Sequence, residues 1–93
     1  MVFYPRGQGR SVTWLRERTA YEGDDCLLWP FSTDGRGYGQ FGHEGRMHKA
    51  HRFMCILANG PQPDGQEAAH ECGHGLCCNP RHLSWKTRPG NQQ

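Results

Sequence analysis

The sequence predicts a small α+β domain, and three observations carry that reading. Helix-like and strand-like segments alternate along 93 residues, the apolar spacing switching between a helical and a two-residue period. Only 34% of the chain is hydrophobic and thirteen residues are glycine, so a large core is excluded and a chain this short needs a staple. The staple is legible in "HECGHGLCCNPRHL", residues 70–83, which gathers His70, His74 and His82 with Cys72, Cys77 and Cys78.

The elements follow in order. Residues 1–10 read as an arm carrying Arg6 and Arg10. Ser11 is a candidate N-cap for a helix through "VTWLRERTAY", with Val12, Leu15 and Thr19 on one face and Gly23 as its stop. "CLLWPF" is a short apolar segment closed by a turn at "STDGRG". "YGQF" and "RMHKA" flank the polar tip "GHEG" as a β-hairpin. "HRFMCILANG" reads as a central helix, with Phe53, Met54, Ile56 and Leu57 apolar and Asn59-Gly60-Pro61 ending it. After a turn at "PQPDG", the segments "QEAAHEC" and "HLSWKT" are strands on either side of the loop "GHGLCCNP". "RPGNQQ" opens a last helix, since Pro89 is tolerated in a first turn. The expected organisation is a basic arm and helix over residues 1–25 and a stapled domain over 26–93, in one unit.

Net charge is only +2, but its distribution is uneven. Residues 1–18 carry Arg6, Arg10, Arg16 and Arg18 against Glu17; residues 36–52 carry Arg36, Arg46, Lys49 and Arg52 against Glu44. Arg81, Lys86 and Arg88 follow with no acid nearby, while Glu22, Asp24 and Asp25 cluster elsewhere. Such segregation suits a face for phosphates, with solvated surface charge as the ordinary alternative. No run approaches a membrane span, and "MVFYPRGQGR" lacks the apolar stretch of a secretion signal. The chain is therefore expected inside a cell, where a Cys/His cluster binds metal rather than forming disulfides.

The ligand arithmetic points to a closed site. Cys72 and Cys77 stand as C-x4-C, and His82 follows five residues later. Tetrahedral structural zinc wants four N/S ligands, and Cys26 is the best candidate for the fourth. Cys78 is a poorer ligand, because adjacent cysteines rarely reach one ion without strain, and Cys55 falls in the helical apolar run as core. His74, in a Gly-His-Gly tip, reads as exposed. His70 ends a strand two residues from a ligand, a fixed orientation that suits a general base, although a lone strand histidine is more often structural.

These residues resemble a known family. "HECGHGLCCNPRHLSWKTRPGN" resembles the ββα-metal site of the His-Me finger nucleases, of the HNH and His-Cys box type, nearest to zinc-loop homing endonucleases and small phage-borne relatives. The matching series is His70, Cys72, Cys77, Asn79-Pro80, His82-Leu83 and Asn91. With "CLLW", "GYGQF" and "AHRFMCILANGPQPDG" upstream, the resemblance covers residues 26 to 91. It implies a DNA endonuclease in which His70 activates water and Asn91 holds one divalent cation, usually magnesium, while zinc is structural. Asn79 would brace the loop behind the base, or cap the Asn-Pro turn. Arg46 and Arg52 are candidates to clamp the scissile phosphate, Arg46 preferred because it projects from a hairpin strand; Arg6, Arg10, Arg36 and Lys49 would contact the DNA backbone. Double-stranded DNA is the expected partner, with a second copy of the chain as another candidate, and a phage-encoded chain would work in the bacterial cytoplasm. A zinc-stabilised DNA-binding module without hydrolysis is the rival reading. Two departures stand out: relatives often carry Asp where this chain has Ala69, and Gln93 ends the sequence two residues past Asn91, so a C-terminally short last helix is expected.

Overall fold

Val12 and Leu15 are buried on one face of the first helix, α1 (Gln8–Glu17), which starts earlier than a cap at Ser11 implies. Ser11 lies inside the helix and is itself buried. The helix also ends well before Gly23. The Arg18 and Thr19 N–H groups donate to the Leu15 and Arg16 carbonyls three residues back, at 3.1 and 3.3 Å, which tightens the chain out of α geometry. The Thr19 hydroxyl adds a bond to the Leu15 carbonyl at 3.1 Å. The computed structural model describes residues 8–87; Arg6 and the expected last helix with Asn91 lie outside them.

Two antiparallel hairpins flank a second helix. The first pairs β1 (Gln40–His43) with β2 (Arg46–Lys49), Gln40 opposite Lys49 and His43 opposite Arg46. Its tip is two residues long, and both Glu44 (φ 54°) and Gly45 (φ 79°) adopt the left-handed conformation that a tight hairpin turn requires. Then α2 (Ala50–Asn59) follows directly and ends at Gly60, whose N–H donates to the Ile56 carbonyl at 2.9 Å. The second hairpin pairs β3 (Gln66–His70) with β4 (Leu83–Thr87), His70 opposite Leu83. The cysteine-rich loop joins those strands and closes in a short 3-10 turn at Pro80–His82.

One core serves all of these elements. Val12 and Leu15 from α1, Trp29, Phe41, Met54 and Cys55 from α2's inner face, Cys78 and Leu83 form a single buried cluster. Cys55 is thus core, as its place in the apolar run implies, and burial pushes its thiol up. Trp29 packs edge-on against Trp14 (5.5 Å) and Phe31 (5.0 Å). The ring fits because residue 39 is glycine: a Cβ there would collide with the indole. Among the described residues no helix is long and apolar enough to cross a membrane.

Candidate active site and metal centre

The segment before Trp29 runs beside the cysteine loop, and backbone bonds fix it there. Trp29 N–H donates to the Leu76 carbonyl at 2.9 Å and Cys78 N–H to the Leu27 carbonyl at 2.8 Å, around a bridge between Leu28 and Cys77. Asn79 completes the clamp. Fully buried, it donates through Nδ2 to the Gly23 and Asp25 carbonyls (3.0 and 2.7 Å), and its Oδ1 accepts from Arg81 N–H at 2.8 Å. Of the two roles anticipated for Asn79, these bonds carry the capping of the Asn-Pro turn. They add one unforeseen, the holding of residues 23–25 next to the loop. Asn79 does not itself line the cavity that His70 lines; its bonds hold the cysteine loop against residues 23–25.

That clamp gathers Cys26, Cys72, Cys77 and His82, whose ligand atoms all lie within 4.8 Å of one another. Cys26 Sγ is 3.7 Å from Cys72 Sγ and 3.8 Å from His82 Nδ1, and Cys77 Sγ is 3.4 Å from the same nitrogen. Metal–sulfur and metal–nitrogen bonds of about 2.3 and 2.0 Å at tetrahedral angles give edges of about 3.8 and 3.6 Å. The four donors therefore fit one tetrahedral ion. The Cys77 thiol, then burial, then Cys72 push the Cys26 thiol up to about 12; sulfurs this close cannot all ionise without a cation between them. Cys78 points away into the core, where burial pushes its thiol up to about 12.

On the other side of Cys77 lies a cavity of about 570 Å³. His70, at the end of β3, reaches it with one nitrogen already committed: Nε2 lies 2.9 Å from the Cys77 carbonyl. A carbonyl only accepts, so Nε2 carries the proton and, in the neutral ring, Nδ1 carries the lone pair. Burial is the main cause that holds His70 below the ordinary imidazole range, against the opposing pull of that hydrogen bond. A neutral, oriented imidazole is what proton abstraction needs.

Lys49, Arg52 and Lys86 line the cavity with Glu67. Lys49 is paired with Asp34 and Lys86 with Glu71 at 3.1 Å, which leaves Arg52, bonded to a neutral glutamine, as the cation best placed to meet an anion. The register settles which arginine belongs there. Arg46 opens β2 at the far end of the hairpin, opposite His43, and lies three residues from Lys49, hence on the opposite face of the strand. Arg52, on the first turn of α2, lines the cavity; its Nε donates to Gln62 Oε1 at 2.7 Å. Of the two arginines named from the sequence as candidate clamps, Arg52 lines this cavity and Arg46 does not. Lys49 is tied to Asp34, whose carboxyl that lysine, with the Arg36 and Tyr38 N–H groups, draws down to about 2. Arg36 lies beside the same aspartate, outside the main cavity, and Arg10 stacks over Phe31 at 5.3 Å. His74 is exposed in the loop, its Nδ1 accepting from Leu76 N–H at 3.3 Å.

Sequence reasoning passed over His51. Its ring centroid lies 4.7 Å from that of His70, with Tyr38 5.2 Å away on its other neighbour contact. Tyr38 reaches this position because Gly75 lets the cysteine loop approach the Gly37 carbonyl, where any Cβ would collide. The signal in the sequence was a histidine at the strand-to-helix junction "KAHR", two residues past a strand lysine.

Residues 48–93, which take in α2, both later strands and the cysteine loop, match the family model described as HNH endonuclease. The chain belongs to the HNH endonuclease family. It is also 35% identical over 79 residues to Protein 2.8 of Escherichia phage T7, covering 83% of this chain and 53% of that protein. Protein 7.7 of the same phage is 30% identical over 70 residues, covering 75% of this chain and 54% of that protein. The HNH chain thus spans about half the length of each of these relatives.

Proposed function

We propose that this HNH chain hydrolyses DNA phosphodiester bonds, with His70 as general base and zinc as a structural staple. One observation carries the reading: His70 gives Nε2 to the Cys77 carbonyl at 2.9 Å and so keeps Nδ1 free as an acceptor in a cavity edged by cations. His70 Nδ1 takes the proton from water as that water attacks phosphorus, and the bond from phosphorus to the 3′ oxygen breaks. Arg52 and Lys86 draw the phosphate into the cavity, and Arg6, Arg10, Arg36, Arg46 and Lys49 add backbone attraction along the duplex. Cys26, Cys72, Cys77 and His82 hold zinc. That ion supplies folding energy and keeps the Cys77 carbonyl in place behind the base.

A hard divalent cation such as magnesium takes oxygen donors. Asn91 is the donor that the family resemblance implies, and Glu67 brings a carboxylate to the wall. Bound there, magnesium would offset charge on a non-bridging oxygen and on the leaving oxygen. Residues 26–93 form the working unit in this reading, with residues 1–25 as a basic arm and helix.

Incubating the zinc-loaded protein with supercoiled plasmid in magnesium, against a control with magnesium omitted and zinc retained, tests the proposal. Nicked or linear plasmid in magnesium alone is expected. DNA that is bound but never cut, with magnesium or manganese, would instead make the chain a zinc-stabilised binding module.

A further inference from the structure

His51 sits inside the proposed active site with no part in the mechanism above. It stands on the first turn of α2, lines the cavity, and its ring centroid lies 4.7 Å from that of His70, the planes tilted by 31°. Its Nδ1 is buried without a hydrogen-bond partner among the described residues. Such a nitrogen cannot meet a molecule in the cavity, so Nε2 is the ring atom offered to one. A buried acceptor is left unpaired more often than a buried N–H, so the tautomer we assign carries its proton on Nε2.

We propose that His51 is a second substrate-contacting histidine, donating its Nε2–H to a non-bridging oxygen of the scissile phosphate beside the His70 base. The proposal rests on the endonuclease reading. An attacking water stands about 3–3.5 Å from phosphorus. A donor on a ring 4.7 Å from the base's ring is within reach of an oxygen of the same phosphoryl group. Burial first, then the charges of His70, Lys49 and Arg52 against the opposing Asp34, pushes His51 down to about 4. A neutral donor suits this place. It can stabilise developing negative charge without adding a positive charge beside the base, which would make proton abstraction harder.

Two variants and one spectroscopic measurement test this. His51→Phe keeps an aromatic ring in the stack and removes both nitrogens; His51→Gln restores an N–H donor. Single-turnover cleavage of a defined duplex should slow about 10²-fold in His51→Phe, the scale for losing one such donor, and recover in part in His51→Gln. Zinc content, and duplex affinity with magnesium omitted, should stay close to the parent's, and the melting temperature should not fall. A His51→Phe chain that cuts at the parent rate would overturn the proposal while leaving the endonuclease reading intact. A parent chain that never cuts overturns that reading, and this inference with it. Should His51→Phe fail to fold, the parent protein still decides the matter. Its His51 Nε2 resonance should shift on saturation with duplex when magnesium is omitted and zinc retained, and an unmoved resonance rejects the contact.

Discussion

Around the Cys–His cluster the polar groups are partnered several times over. Asn79 alone makes three hydrogen bonds, and the segment carrying Cys26 is tied to the loop by two backbone bonds. In the cavity, His51 Nδ1 is buried with no hydrogen-bond partner among the described residues, although Lys49, Arg52 and Lys86 around it are each partnered. An unsatisfied buried polar atom costs about 1–3 kcal/mol, a sizeable part of the roughly 5–15 kcal/mol by which domains are stable at all. The cluster is arranged for folding, the cavity for a visitor. Substitutions on the two sides should therefore fail in different ways.

The largest effect belongs to the cluster. A structural zinc contributes about 10–16 kcal/mol in small domains, so Cys77→Ser should lose the metal and leave the chain unfolded at room temperature. Elemental analysis and circular dichroism would show both losses; unchanged metal content and melting would remove Cys77 from the ligand set. Cys78→Ser is the contrast. It puts a hydroxyl into the core and should cost about 1–3 kcal/mol, with metal content kept.

In the cavity the sign is reversed: activity should go while the fold stays. His70→Ala should slow cleavage by about 10²–10⁴-fold, the usual contribution of a positioned base. Its zinc content and melting temperature should remain near the parent's. If His70→Ala also loses zinc, the division between the two regions is wrong.

A pH series sharpens the same comparison. His51 faces His70, Lys49, Arg52, Asp34 and Tyr38, and its folded value of about 4 lies below the 6.5 of a free histidine. Between those values the unfolded chain binds more protons, so stability rises with pH. The contribution is fully present above about pH 6.5 and is lost as pH falls toward 4, on the order of 2–3 kcal/mol. Asp34 titrates below this window. Denaturant melts of the parent and of His51→Phe should diverge over that range, the variant having the flatter profile. Parallel profiles would mean that His51 is not buried as a neutral ring.

The smallest effect is expected at the hairpin's far end. Arg46→Ala should lower duplex affinity modestly and reduce the log–log salt slope by about one if it meets one phosphate. Arg52→Ala should weaken both affinity and the cleavage step. Equal losses in the two variants would undo the assignment of Arg52 to the cavity.

What could be read in advance was local. The hairpin tip at Glu44-Gly45 and the helix end at Gly60 follow from short-range backbone preferences. Cys72, Cys77 and His82 sit in one loop, so spacing alone groups them, and Cys26 followed because four ligands were needed. The start of α1 was missed because Ser11, a good cap by residue type, is more useful buried against the core. The choice between Arg46 and Arg52 turned on strand faces and on where α2 docks. His51 depends on three separate elements meeting, which no spacing encodes. Asn91 and Arg6 lie outside the described residues, and their roles rest on the sequence alone.

Gly75 carries a consequence for how this chain can vary. It is neither a proposed ligand nor the base, and its missing side chain leaves room for the Gly37 carbonyl and for Tyr38, which lies against the two histidine rings. In a saturation library selected for cutting, position 75 should be nearly as intolerant as the cysteines. Selected only for folding, it should accept small residues, because the loops can part without disturbing the cluster. The gap between those two tolerance profiles would mark Gly75 as a residue retained for what the chain does rather than for its remaining folded.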